Sequence, residues 1–170
     1  MRGAIRLALC LLGLLPARAD DGRRSRLLVA YVAGRDAVSE KRIGPVLDIW
    51  RGMHREYPRW SLRCLLVTGG ARTVYTADAT CARLVLDVDD SYLALGHKVK
   101  ALLSWVAAHQ PEPYDFLLKT DVDTLICFTM ALDMIDATVM KWGTSRSIYM
   151  GHSETCSHIV HDKEAPGSSS

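Results

Sequence analysis

The sequence predicts an α/β fold, a mostly parallel β-sheet covered by helices on both faces. Three observations carry that expectation. Short apolar runs alternate with longer stretches whose apolar residues recur every three or four positions. The runs 27–33 and 62–68 are apolar almost throughout, as strands buried on both faces are. Glycines, Gly34 and the pair Gly69-Gly70, close these two runs. Such alternation builds right-handed crossovers between parallel strands, and ligands of these sheets settle at the carboxyl ends of the strands.

Taken in order, the first strand is 27–33. A helix is predicted from about Ser39 to Arg55, because Ile43, Val46, Leu47, Trp50 and Met53 make one apolar stripe. Pro45 is placed in its first turns, where a missing N–H is tolerated. The second strand is 62–68. Residues 76–83 read as a short helix and 84–86 as a brief third strand. The next helix takes Asp89 or Asp90 as its cap, carries Tyr92, Leu95, Val99, Leu102, Leu103 and Val106 on one face, and ends near His109, ahead of Pro111. Tyr92 and Trp105 follow that periodicity and are read as core residues. A strand from Asp115 to Lys119 then reaches Asp121-Val122-Asp123, and the chain continues extended from Thr124 to Phe128. A helix from Thr129 to about Trp142 directs Met130, Met134, Ile135 and Val139 inward, and 147–150 forms a final strand. The tail 162–170 lacks periodicity and bulk and is expected to be disordered.

At 170 residues and 49% apolar composition the chain supports one core, expected over 27–161 after a linker at 20–26. Residues 1–19 read as a secretory leader: Arg2 and Arg6, an apolar run from Leu7 to Leu15, and Ala17-Arg18-Ala19 as a cleavage site. The run is short of the roughly 20 apolar residues that span a bilayer, which favours a cleaved signal over a membrane anchor. Residues 1–19 contribute three Arg, and without them the chain has 18 basic and 19 acidic residues, a formal charge of −1, so the net positive charge comes from the leader and there is no basic stripe for nucleic acid. Cys64, Cys81, Cys127 and Cys156 remain, able to form two disulfides in any of three pairings in an oxidising lumen; Cys64 and Cys127 lie in apolar runs where buried free thiols are the alternative.

The stretch with the most chemistry is Asp121-Val122-Asp123. On an extended backbone, residues two apart point the same way, so Asp121 and Asp123 could engage one divalent cation, Mg²⁺ or Mn²⁺. Such an ion bridges nucleotide phosphates and offsets the charge of a departing diphosphate. Lys119 shares that face, either touching donor phosphates or neutralising an aspartate. Arg35 and Asp36, just past the first strand, are placed by topology to meet a nucleobase and ribose. Asp90 reads as a helix cap before a nucleotide contact, and Lys98, away from the centre of its helix's apolar stripe, as a solvated residue. His152, Glu154, His158 and His161 cluster without the spacing of a zinc site.

From Asp90 to Ile126 the order and spacing of Asp90, Ser91, Tyr92, Leu95, Lys98, Trp105, Lys119, Asp121 and Asp123 resemble the β-1,3-galactosyltransferase family, which includes the fringe-type glycosyltransferases. A weaker similarity runs from Arg42 to Trp50, and together they span roughly 27–151. The chain departs from the family pattern at Val122, which replaces an acidic residue, at Ala94 and Gly96, which replace Asn and Thr, and at Leu47, which replaces Arg. The resemblance implies a Rossmann-like, GT-A type nucleotide-sugar-binding half. It implies Mn²⁺ (or Mg²⁺) at Asp121 and Asp123, and donor contacts from Asp90, Lys98, Lys119 and the Val122 position.

The activity implied is transfer of galactose or N-acetylhexosamine from a UDP-sugar to a glycoprotein or glycolipid acceptor, with inversion and a β-1,3 linkage. The compartment implied is the Golgi lumen or membrane, with secretion as the alternative. The family's second half, which carries the acceptor site and general base, has no counterpart before Ser170. No residue is therefore assigned as base, and a non-catalytic binding or scaffold module, or an incomplete gene product, is the competing expectation.

Overall fold

The computed structural model describes residues 10–12, 24–53, 56–109, 114–142 and 149–150. Along the chain lie β1 (Cys10–Leu12), β2 (Ser25–Val32), α1 (Ala37–Met53), β3 (Trp60–Gly70), β4 (Val74–Thr76) and β5 (Ala82–Asp87). A 3₁₀ turn (Tyr92–Ala94), α2 (Leu95–His109), β6 (Phe116–Asp121), α3 (Phe128–Trp142) and β7 (Tyr149–Met150) follow. Among these residues one α/β sheet forms in the order β4-β5-β3-β2-β6-β1-β7. Its centre, β5-β3-β2-β6, is parallel, and β4 and β1 add antiparallel strands on either side. β1 falls inside the stretch whose sequence reads as a leader. No helix of the described residues is long and apolar enough to cross a membrane.

The uninterrupted apolar sequence of β2 follows from its place between β3 and β6. Leu28, Ala30 and Val32 face α2, where they meet Leu102 and Val106. Leu27, Val29 and Tyr31 face the other way, toward Trp50 of α1 and Leu132 and Ile135 of α3. Helices thus cover both faces, as expected. Trp50 is fully buried and meets Tyr31 and Phe128 edge-on, with ring centroids 6.4 and 5.7 Å apart. The indole thereby joins α1, the sheet and the start of α3 in one packed unit. At the other end of β2, the Arg26 guanidinium donates to both oxygens of Asp115, at 2.7 and 3.2 Å, and fixes the register of β2 against β6.

Several expectations are corrected. No helix forms over 76–83: Val74–Thr76 is a strand, and the Asp78 carboxylate accepts from the Thr80 and Cys81 N–H groups, holding a turn before β5. Helix α1 starts at Ala37, two residues earlier than expected, so Pro45 lies in its third turn rather than among its first turns. Gly69 and Gly70 are the last two residues of β3, inside the strand rather than just after it. The segment after Asp121 is a turn and loop, not a strand, up to α3. Within α3 the buried positions are Phe128, Ala131, Leu132 and Ile135, whereas Met130 and Met134 are exposed. Cys64 bonds to Cys81, and Cys127 is an exposed free thiol instead of a buried one. Cys156, the histidine cluster after Met150, the tail and the Tyr92 side chain lie outside the described residues.

Candidate functional site

The parallel registers bring the carboxyl ends of four strands to one edge. Val32 pairs with both Val67 and Asp121, and Gly70 pairs with Asp87. Gly34–Asp36 after β2, Asp87–Asp90 after β5 and Asp121–Asp123 after β6 therefore all emerge on the same side of the sheet. Strand addition also reverses there, since the chain moves outward through β3 and β5 and returns to place β6 on the far side of β2.

Asp90 is the hub of this edge. Its Oδ1 accepts from the Gly69 N–H at 2.6 Å and from Lys98 Nζ at 2.5 Å, and its Oδ2 accepts from the Arg35 N–H at 2.5 Å. Lys98 Nζ also donates to the Ala33 carbonyl at 3.1 Å. Asp90 is thus not the helix cap expected of it. Asp89 makes the local turn, accepting from the Ser91 N–H and hydroxyl, and these bonds, the hydroxyl's foremost, hold its carboxyl below the ordinary value. Nor is Lys98 solvated: it is 3% exposed. A buried ammonium needs an anionic partner, and Asp90 supplies it eight residues upstream. The close approach depends on Gly69, where a Cβ would stand 2.7 Å from the Val88 carbonyl and 2.8 Å from Asp90 Oδ1.

Asp121 is the last residue of β6, and the Thr124 N–H donates to its carbonyl at 3.0 Å, closing a turn that contains Val122 and Asp123. The two carboxylates therefore do not share one extended strand as expected. Lys119 Nζ donates to Asp121 at 2.7 Å, whereas Asp123 accepts from Arg42 of α1 at 3.1 Å. Both aspartates remain accessible, with side chains 39% and 52% exposed. Val122 is buried, its N–H bonded to the Val32 carbonyl at 3.1 Å, so it anchors the turn. As oxygen donors the two carboxylates suit a hard cation. Among the described residues no group of three or more His, Cys, Asp or Glu side chains is gathered for a metal.

Arg35 is exposed at the edge, beside Gly70. Asp36 caps α1, accepting from the Val38 and Ser39 N–H groups at 2.9 Å each and from the Ser39 hydroxyl at 2.7 Å. The Ser39 backbone N–H, then its hydroxyl, hold the Asp36 carboxyl below its ordinary value. Reading the sequence missed Gly69 as the cradle for Asp90 and Arg42 as the partner of Asp123. Arg42 is 81 residues from that partner, and no local pattern signals the pairing. A small cavity of about 20 Å³ lined by Leu62, Arg63, Asp78 and Thr80 lies beside the disulfide, at the opposite end of β3, and is too small for a nucleotide.

Fold and site together define a class, an α/β protein with a charged, hydrogen-bonded edge at the carboxyl ends of its parallel strands. No protein-family model, curated protein or solved structure matches the chain.

Proposed function

We propose that the chain is a GT-A type donor-binding unit of the β-1,3-galactosyltransferase kind. It takes a UDP-sugar in the secretory pathway and passes galactose or N-acetylhexosamine to a protein- or lipid-linked glycan. The observation that carries the reading is the placement of Asp121: it ends a parallel strand level with the end of β2 and opens a turn that exposes Asp123 beside it. The motif spacing from Asp90 to Asp123 supports the same family.

Asp121 and Asp123 would hold Mn²⁺ or Mg²⁺, which supplies charge neutralisation for the diphosphate leaving group. Lys119 and Arg42 pair with these carboxylates and would have to release them to a bound cation. Lys119 and Arg42, once released, would lie at the same edge and could offer positive charge to the donor phosphates. Arg35 and Asp36, the cap of α1, would flank the nucleoside. Removal of the acceptor's proton needs a base that is assigned to no residue of this chain.

A second reading, a nucleotide-binding module without transferase activity, is favoured by one observation: each aspartate is already neutralised by a partner within the fold. Titration of UDP into the protein with Mn²⁺, and again with EDTA, tests both readings, which predict metal-dependent binding. Release of free sugar from UDP-galactose or a UDP-N-acetylhexosamine then separates them, since only the transferase reading predicts turnover. Absence of any metal-dependent UDP binding contradicts both.

A further inference from the structure

Asp90 and Lys98 stand out in the site because the ammonium is buried and the carboxylate accepts from three donors. The Asp90 carboxylate collects donors from three parts of the chain: Gly69 in β3, Arg35 after β2 and Lys98 in α2. Lys98 adds a bond to the Ala33 carbonyl, one residue beyond the end of β2. At 3% exposure it offers almost no surface to a bound molecule. The loop Gly34–Asp36 is thereby tied to the sheet at both Ala33 and Arg35, and Gly69 carries no side chain that would push Asp90 away.

We propose that Asp90 and Lys98 form an internal lock that positions the Gly34–Asp36 loop for the nucleotide and does not itself touch the ligand. The inference rests on the nucleotide-binding reading for its consequence, while the lock is a property of the protein alone. Charged hydrogen bonds of this kind hold the amides they engage against solvent, so opening the lock exposes the Arg35 and Gly69 N–H groups before the rest of the sheet. Arg35, which faces the edge, then loses its fixed position, and affinity falls through lost preorganisation.

The test is amide hydrogen exchange by NMR on the whole chain and on its K98M and D90N variants, with UDP and Mn²⁺ titrated in parallel. The expected result is exchange faster by about tenfold or more at Arg35 and Gly69 in both variants. The amides of Val29 and Leu65, inside β2 and β3, stay unchanged, and UDP affinity drops. Should K98M fail to fold, D90N, which keeps the shape of the carboxylate, carries the same comparison. Weakened UDP binding in K98M with unchanged exchange at Arg35 and Gly69 makes Lys98 a direct ligand contact and overturns the lock. Unchanged exchange with unchanged affinity overturns it too. If the unaltered protein binds no UDP, the nucleotide reading fails, and the exchange rates alone decide the lock.

Discussion

A single added methyl separates two kinds of glycine in this chain. At Gly69 it would meet the Val88 carbonyl at 2.7 Å and Asp90 at 2.8 Å, whereas at Gly44, on the exposed side of α1, nothing lies within 4 Å. Gly69→Ala is expected to destabilise by about 2 kcal/mol through forced displacement of backbone and Asp90. Gly44→Ala is expected to stabilise by about 0.5–1 kcal/mol through helix propensity. Urea unfolding measures both, and equal shifts of the same sign would contradict the packing described. Two residues with shifted titration, one on each side of neutrality, contribute to the limbs of the stability curve. Asp36 has a folded pKa lowered from 3.8, so its contribution is present above that value and is lost as pH falls through the depressed one; Asp36→Asn should flatten the acid limb of a series of thermal melts. Burial pushes Tyr31 from 10.0 up to about 12, so its contribution is present below 10.0 and disappears as pH rises toward about 12; Tyr31→Phe should flatten the alkaline limb. At this scale Asp121 and Asp123 were legible as accessible carboxylates at a strand's end, but Lys98 was not. Periodicity counts lysine as polar and outward, and cannot show that a carboxylate waits at the buried end of its side chain.

Elements with long periodic stripes were legible, and those set by local polar bonds were not. The apolar run of β2 and the stripe of α2 both correspond to observed elements, because burial against neighbours is what such patterns record. The supposed helix over 76–83 is instead a strand and a turn tied by Asp78, and Cys81 beside that turn bonds to Cys64. The inward stripe of α3 was legible at Ile135 and Val139 and missed at Met130 and Met134, which are exposed: they are as apolar as the buried Leu132, so composition could not choose among them. Extension of β6 through Phe128 failed because Asp121 accepts from the Thr124 N–H and turns the chain. The Cys64–Cys81 bridge joins β3 to the start of β5 across 17 residues. Closing a loop of that length is expected to contribute about 3 kcal/mol by restricting the unfolded chain. Urea unfolding of the C64A/C81A variant against the oxidised protein measures this, and coincident midpoints would contradict it.

Over the whole molecule, the parallel strands do more than enclose a core. By ending together they gather Arg35, Asp90, Asp121 and Asp123 from positions up to 88 residues apart onto one edge, a convergence that only the sheet order creates. Spacing of motifs could indicate which residues belong to the edge, but not that these three carboxylates are each held by a cation: Lys98 for Asp90, Lys119 for Asp121 and Arg42 for Asp123. In the proposed function the first of these pairs stays closed and the other two open to a cation. Calorimetric titration of UDP with Mn²⁺ into the unaltered chain and into D121A/D123A tests it most directly. Metal-dependent binding to the unaltered chain is expected, weakened by at least about tenfold in the double variant; equal affinity in the two proteins would rule out Asp121 and Asp123 as the metal's ligands.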